Sequence, residues 1–428
     1  MSVDANLLAD VMLDGPWTAV ELAERSAAFL ERWPSWLTTL AMRLAAVHRS
    51  PPSRAELAAA IAEFLAEHPD DPPLPIRPVA GRPRRWPVAT IDSVAELAER
   101  FELDDGQLAW LADVRGLERR AGAERLRNYR YRWIPRAGDP PRLIEMPKAR
   151  LKEIQRWVLH AVLDAIPVHP AAHGFARGRS VITNGALHTS SEVIVQFDLK
   201  DFFASISAAR VRGVFRTAGY SEPVARTLTG LATNRIPLPI WSAAPPSEHP
   251  QPHFWLGRRL ATPHLPQGAP SSPALANLAA FRLDRRLTGL AAARGLRYSR
   301  YADDLTFSGA RRSVGRLGDA VAEIAAGEGF ALNGAKTRSA GRGGRQAVCG
   351  VVVNAHPNVA RTEYDALKAI VYNTARHGPA GQNLAGVADF RAHLRGRIAW
   401  VAALNPDRGA KLLRHFAEID WGADLSSG

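Results

Sequence analysis

"SRYADDLTFSG", residues 299–309, sets two carboxylates, Asp303 and Asp304, side by side among the apolar and aromatic neighbours Tyr301, Ala302, Leu305 and Phe307. Adjacent like charges repel, and an apolar strand is an expensive place for them. The surrounding "LRYSRYADDLTFSG" reads as two strands around a tight turn, with the acids at its polar tip. A third acid, Asp198, ends the β-branched run "EVIVQFD" (192–198), which reads as a buried strand. Strand ends are where a rigid scaffold presents chemical groups. Three carboxylates on neighbouring strands suit two Mg²⁺ ions, which take one or two protein carboxylates and complete their shells with water and phosphate oxygens. Two such ions serve the attacking and leaving oxygens of an in-line displacement. Metal charge also removes the repulsion between the acids. The alternative for Asp198 is a helix N-cap, because "DLKDFF" could begin a helical turn.

The rest of the chain bounds this reading. Its 428 residues allow one large multi-lobed domain or two to three smaller ones, and 46% hydrophobic residues are enough for a real core. The formal net charge of +13 and pI near 10.5 point to nucleic acid first and an anionic membrane second. A single cysteine, Cys349, excludes an internal disulfide framework and a Cys-rich zinc module. No apolar run reaches the roughly 18 residues of a membrane span. The first residues are acidic where a signal peptide is basic, so a cytoplasmic protein without membrane contact is expected.

Helical periodicity marks "TAVELAERSAAFLERW" (18–33) and "SRAELAAAIAEFLAEH" (53–68), the latter opened by a capping box of Ser53 with Glu56. The proline-rich segment 68–87 reads as a linker. Ser93 with Glu96 forms a second capping box, and a short helix starts at Asp104 or Asp105. "RLRNYRYRWIPRAGDPPRLIEMP" (125–147) reads as strand, turn and return strand, followed by an amphipathic helix over 148–166. Residues 234–264 carry many prolines and read as a long irregular loop. Residues 270–295 read as one long helix, "RQAVCGVVVN" (345–354) as a strand, and the last two amphipathic stretches as helices. This pattern is α+β: an antiparallel sheet backed by helices, with helical regions at either end.

"FDLKDFF" (197–203), "LPQGAPSSPALANL" (265–278) and "YADD" (301–304) together resemble motifs A, B and C of reverse transcriptases, in that order and spacing. "RWIPRAGDPPRLIEMP" (132–147) looks like the fingers strands of the same family. "HGFARGRSVITNGALH" (173–188) and "RQAVCGVVVN" narrow the resemblance to the retron-type bacterial enzymes, which carry Asn-Ala-x-x-His between fingers and palm and Val-Thr-Gly near the thumb. This chain departs at both: Asn184-Gly185-Ala186-Leu187-His188 has glycine for alanine, and Val348-Cys349-Gly350 has cysteine for threonine.

The resemblance implies a right-hand polymerase with fingers and palm over 91–355, a helical thumb over 356–428 that binds template–primer, and an N-terminal helical extension over 1–90. It implies RNA-directed DNA polymerase activity with two Mg²⁺ ions on Asp198, Asp303 and Asp304. The partners it implies are dNTPs, a structured non-coding RNA as template and primer, the cDNA product and a separate effector protein in defence against phage. Arg136 and Arg142, flanking the "RAGDPP" turn, can grip a triphosphate with guanidinium forks. Phe203, five residues after Asp198, stands where the family blocks the 2′-hydroxyl. Either Phe202 or Phe203 belongs to the core, because strand neighbours face opposite ways. Gln267 resembles the family's nucleotide-contacting glutamine, Gly268 permits close backbone approach, and Lys336 in "LNGAKTR" could neutralise or protonate pyrophosphate. Asn184 and His188 would touch RNA or brace the fingers–palm junction, and Cys349 stands where a hydroxyl would face RNA. Arg395 and Arg397 lie in the basic amphipathic stretch 393–416, which in thumb position tracks phosphates. "RLRNYRYRW" mixes cations and aromatics as single-strand-binding surfaces do, or packs aromatics inward and leaves arginines in water. His169 and His173 in "HPAAH" do not read as a zinc site. The alternatives are a non-retron defence-associated or intron-type reverse transcriptase, or a non-catalytic RNA-binding scaffold.

Overall fold

The computed structural model describes residues 5–14, 17–30, 34, 36–48, 50–67, 84–114, 116–136 and 139–422. The chain divides into two compact units, one within residues 1–80 and one within 81–428. The linker expected at 68–87 lies, up to residue 83, outside the described residues, as do 31–33 of the first expected helix.

The first unit contains four described helices, α1 (Ala5–Leu13), α2 (Ala19–Leu30), α3 (Leu37–Val47) and α4 (Arg54–Glu67). Their apolar stripes close one core around Leu8, Met12, Leu22, Leu40, Ile61 and Phe64. The Ser53–Glu56 capping box forms: the Glu56 N–H donates to Ser53 Oγ at 3.3 Å, and the Ser53 N–H donates to Glu56 Oε2 at 2.9 Å.

The second unit begins with α5 (Val94–Arg100) and α6 (Asp105–Leu111), the latter capped by Asp104 with Gln107. β1 (Tyr129–Ile134) and β2 (Arg142–Pro147) pair antiparallel as a hairpin, leading into α7 (Ala149–Ala161) and then α8 (Val181–Ala186). On β1 the aromatics Tyr129, Tyr131 and Trp133 turn inward while Arg130 and Arg132 are exposed, the alternation of a half-buried strand.

A four-stranded antiparallel sheet sits at the centre, in the order β4–β5–β3–β6: β3 (Val193–Asp198), β4 (Arg297–Tyr301), β5 (Asp304–Gly309) and β6 (Arg338–Gly341). β3 reads as continuously apolar because both its faces are covered. Val193, Val195 and Phe197 enter the main core, whereas Ile194 enters a second core with the C-terminal helices. No helix starts at Asp198, which ends β3 and pairs with Asp304 of β5.

Between β3 and β4 lie α9 (Ala208–Thr217), α10 (Glu222–Ala232), α11 (Leu238–Ser242), α12 (Pro250–Leu260), α13 (Ser272–Ala279) and α14 (Phe281–Ala293). Two expectations are corrected here. The region 234–264 is not an irregular loop, since it contains α11 and α12. The prolines inside these helices, Pro239, Pro250 and Pro252, stand in their first turns, where no N–H bond is lost. Residues 270–295 form two helices rather than one, breaking at the buried Ala280.

After β5 come α15 (Leu317–Gly327) and β6, then β7 (Ala347–Val348) and β8 (Val351–Val352). "RQAVCGVVVN" is therefore a hairpin and not a single strand. Its two-residue turn, Cys349–Gly350, has φ of +48° and +84°, the mirror-image turn that suits strand twist. α16 (Arg361–His377), α17 (Phe390–Leu404) and α18 (Pro406–Ala417) close the unit around Leu367, Val371, Leu394, Ile398 and Phe416. The α+β expectation holds. Among the described residues no helix is long and apolar enough to cross a membrane.

Candidate active site

Register brings the acids together. Asp198 opposes Asp304 across β3–β5, and the Leu199 N–H donates to the Asp303 carbonyl at 2.9 Å. A cleft of about 280 Å³ opens beside them, lined by Asp198, Asp303, Phe203, Gln267, Lys336 and both hairpin arginines, Arg136 and Arg142. Asp304 does not line it. Burial pushes the Asp304 carboxyl up to about 6, helped by the charges of Asp303 and Asp198. Burial also raises Asp198, which Lys336 opposes from 3.6 Å.

Among the described residues no three His, Cys, Asp or Glu side chains close around one point. The donors fit an open Mg²⁺ site instead: hard carboxylate oxygens, held in mutual repulsion, at a cleft able to admit a phosphate-bearing ligand that supplies the remaining oxygens.

The cations meet on a residue that the sequence reading passed over. Asp139 Oδ2 accepts from Arg136 Nη2 at 2.8 Å and lies 3.1 Å from Lys336 Nζ. One carboxylate thus ties the hairpin to Lys336 on the opposite part of the cleft lining. Nothing in the spacing of "RAGDPP" signals this, and residues 137–138 at its tip lie outside the described residues.

Phe202 and Phe203 do not divide by opposite strand faces, because they stand in a turn after β3 and both line the cleft. Phe202 is buried against Phe330, while Phe203 is half-buried and meets Phe175 at 6.2 Å between ring centroids. The Gln267 carbonyl accepts the Glu145 N–H at 2.9 Å, which fastens the loop to β2. Gly268 has φ of +133°, and a Cβ there would stand 2.8 Å from the Glu145 carbonyl oxygen, so the close approach is to β2.

Beneath that loop the Glu145 side chain is buried with His264, 2.9 Å from Oε1 to Nε2, and accepts from Asn234 Nδ2 at 2.7 Å. Burial alone would lower the His264 pKa. The Glu145 charge and hydrogen bond, with the Thr262 carbonyl, reverse this and raise it. A raised folded value means the pair's stabilisation is complete below the unfolded value of about 6.5 and is lost as pH rises through the folded one. The melting temperature of wild type relative to His264→Gln is expected to decline over that rise. A difference flat with pH would exclude a charged pair.

Asn184 and His188 are both fully buried, so RNA contact is corrected and bracing remains. His188 lies 2.8 Å from Ser308 Oγ and 2.7 Å from Ser299 Oγ, bridging β5 and β4 from α8's side. Burial, with Arg297 and His173, pushes its pKa down to about 3, so it is neutral. Asn184 Nδ2 donates to Cys349 Sγ at 3.5 Å, which joins the two motifs in which the departures from the family pattern occur. The thiol is half-buried and pushed up to about 12 by burial and by the Asp304 charge. Glycine at 185 also has a reason: a Cβ would meet Val353 Cγ1 at 3.2 Å and Val351 Cγ1 at 3.3 Å.

His173 Nδ1 lies 3.0 Å from Thr183 Oγ1, and His169 Nδ1 accepts the Ala171 N–H, so both serve local structure. Arg395 is exposed and Arg397 half-buried on α17, whose Leu394, Ile398 and Val401 face the core. Neither lines the cleft.

Comparison with known proteins agrees with this geometry. Residues 134–346 match the family model "Reverse transcriptase (RNA-dependent DNA polymerase)". The chain is 42% identical over 292 residues to the retron Mx65 reverse transcriptase of Myxococcus xanthus, covering 68% of this chain and 65% of that one. It is 35% identical over 357 residues to the retron Mx162 enzyme of the same organism, covering 79% and 69%. It is 29% identical over 296 residues to the retron Ec86 reverse transcriptase of Escherichia coli, covering 68% and 81%. The chain thus spans about two thirds of the length of the two Myxococcus relatives. With its acids paired in register beside a cation-lined cleft and with these relatives, the chain belongs to the retron-type reverse transcriptases and has their α+β polymerase fold.

Proposed function

We propose that the chain is an RNA-directed DNA polymerase that copies a cognate structured non-coding RNA, its template and primer, into single-stranded DNA. The observation that carries this reading is the cleft itself. Two acids, Asp198 at a strand end and Asp303 at the adjacent tip, line a cleft of about 280 Å³ together with three cations, Arg136, Arg142 and Lys336. In domain terms, 91–355 would be fingers and palm, 356–428 the thumb, and 1–90 an extension. Family membership supports a cytoplasmic role in anti-phage defence with a separate effector protein.

Asp198 and Asp303, with Asp304 behind them, would hold two Mg²⁺ ions, whose charge serves both the attacking and the leaving oxygen. The reaction joins the oxygen of a primer hydroxyl, as it loses its proton, to the α-phosphorus of a dNTP and releases pyrophosphate. Arg142 and Arg136 grip the triphosphate, Arg136 exchanging Asp139 for phosphate oxygens. Lys336, already beside Asp198, neutralises or protonates the departing pyrophosphate. Gln267 contacts the nucleotide from a loop anchored on β2. Arg395 and Arg397 of α17 track the duplex phosphates, so affinity falls as salt rises. The Cys349 turn lies close enough to Asp304 for that acid's charge to hold the thiol in its neutral form, and it would meet the nucleic acid there.

Phe203 would leave no room for a 2′-hydroxyl. Phe203→Ala is expected to lower dNTP-over-rNTP discrimination by roughly ten- to two-hundredfold, the range one small group in a pocket controls. Single-nucleotide incorporation with each substrate measures it, and unchanged discrimination would assign Phe203 to packing alone.

The decisive experiment incubates purified protein with primed RNA, dNTPs and Mg²⁺ and sequences the nucleic acid that copurifies. Extension together with RNA-linked or branched single-stranded DNA is the expected result. Extension without such a product would overturn the reading of a structured RNA as both template and primer, and no extension would leave the RNA-binding scaffold.

A further inference from the structure

Arg300 heads the fully buried side chains by size, and no step above uses it. A guanidinium shut away from water costs several kcal/mol unless its geometry is excellent. Here it is a fork. Nε donates to Asp284 Oδ1 at 2.8 Å and Nη2 to Asp284 Oδ2 at 2.7 Å, and Asp284 on α14 is itself fully buried. The Tyr298 hydroxyl donates to Asp284 Oδ1 at 2.9 Å and fixes the acid further.

The remaining nitrogen faces the site. Arg300 Nη1 donates to the carbonyl oxygen of Ala302 at 3.0 Å. Ala302 has φ of +56°, a left-handed conformation that costs an L residue roughly 1–2 kcal/mol, and the next residue is Asp303. The Arg300 backbone is clamped as well: its N–H donates to the Ala171 carbonyl at 2.8 Å and its carbonyl accepts the His173 N–H at 2.7 Å. On its other side the guanidinium carbon stands 5.6 Å from the Phe202 ring centroid, and Phe202 meets Phe203 at 5.6 Å. A buried ion pair often gives no more stability than well-packed apolar residues of equal volume. Stability alone therefore does not account for this one, whereas the placement of its third hydrogen bond does.

We propose that Arg300, anchored on Asp284, is a positioning residue: it holds the Ala302 turn left-handed and thereby sets Asp303 and, through Phe202, the Phe203 ring in one frame. The inference rests on the nucleotidyl-transfer reading above. It predicts that kcat and sugar discrimination change together, which a role in stability alone would not produce.

Two variants test it. Arg300→Met with Asp284→Leu replaces the pair by apolar groups of similar volume. Arg300→Lys keeps the charge and loses the fork. Each is purified as full-length protein, checked by circular dichroism and heat denaturation, and assayed for single-nucleotide addition with dNTP and rNTP. In folded variants kcat is expected to fall about a hundredfold, the scale of a misplacement near 1 Å. The dNTP KM should stay within about twofold, because the triphosphate grip is intact, and discrimination should drop with kcat. If the double variant fails to fold, Arg300→Lys decides. Wild-type kcat in either folded variant, or a loss expressed only in KM, overturns the proposal. Inactive wild-type protein would instead refute the polymerase reading.

Discussion

Asp303→Asn is expected to reduce nucleotide addition by at least about a thousandfold while leaving the protein folded and bound to RNA. Losing several kcal/mol of charge stabilisation at the reacting oxygens corresponds to that factor. The second half of the expectation follows from the electrostatics. The charge of Asp303 is one of the forces that push Asp304 up to about 6 and Asp198 upward as well. An amide of the same shape removes that repulsion, so the melting temperature should be equal to wild type or higher. Sites built for chemistry commonly trade stability in this way. Asp304→Asn should cost less activity, because Asp304 does not line the cleft. Primer extension beside a thermal melt measures both halves. An Asp303→Asn protein that extends at more than a tenth of the wild-type rate would remove Asp303 from the reaction. One that unfolds would make it a structural acid.

The central strands and the acids are legible because their signals are local. Residues 193–197 are apolar at nearly every position, and Asp198 ends the run, so strand and strand-end acid are read together. The tip at Ala302–Asp303 was legible for the same reason. What escaped the sequence are pairings between distant residues. Arg300 and Asp284 lie on different elements, and an arginine between Ser299 and Tyr301 looks like any exposed cation in a chain with 55 lysines and arginines. Glu145 and His264 are further apart still, and each alone resembles a solvated residue. Asp139 stands inside "RAGDPP" like any turn acid, and only the approach of Lys336 gives it meaning. The prolines of α11 and α12 misled because breakers in a first turn look the same as breakers in a loop. The sequence leaves His188 two roles, RNA contact or bracing, and burial, which no sequence states, selects bracing.

Gly174→Ala is expected to lower kcat about a hundredfold and to cost about 1–3 kcal/mol of stability. No feature of the sequence around "AAHGFAR" marks this glycine, yet it touches the catalytic turn. A Cβ built on it would stand 2.5 Å from the Ala302 nitrogen, 3.1 Å from the Tyr301 carbonyl carbon and 3.3 Å from Tyr301 Cα. All three are backbone atoms, so no side chain can rotate out of the way. Gly174 cannot retreat freely either, because its carbonyl accepts from the buried Asn277 Nδ2 at 2.9 Å. The strain must therefore pass into the Ala302 turn, which Arg300 holds from its other side. Displacement of the turn moves Asp303 relative to Asp198, and the rate follows. Gly213→Ala is the control. It lies inside α9 with nothing within 4 Å of its Cβ, so alanine there should stabilise the fold by about 0.5–1 kcal/mol without changing kcat. Steady-state kinetics and thermal melts on both variants give the comparison. Equal kcat in Gly174→Ala and wild type would show that the turn absorbs the extra methyl group, and the tight packing would then have no bearing on catalysis.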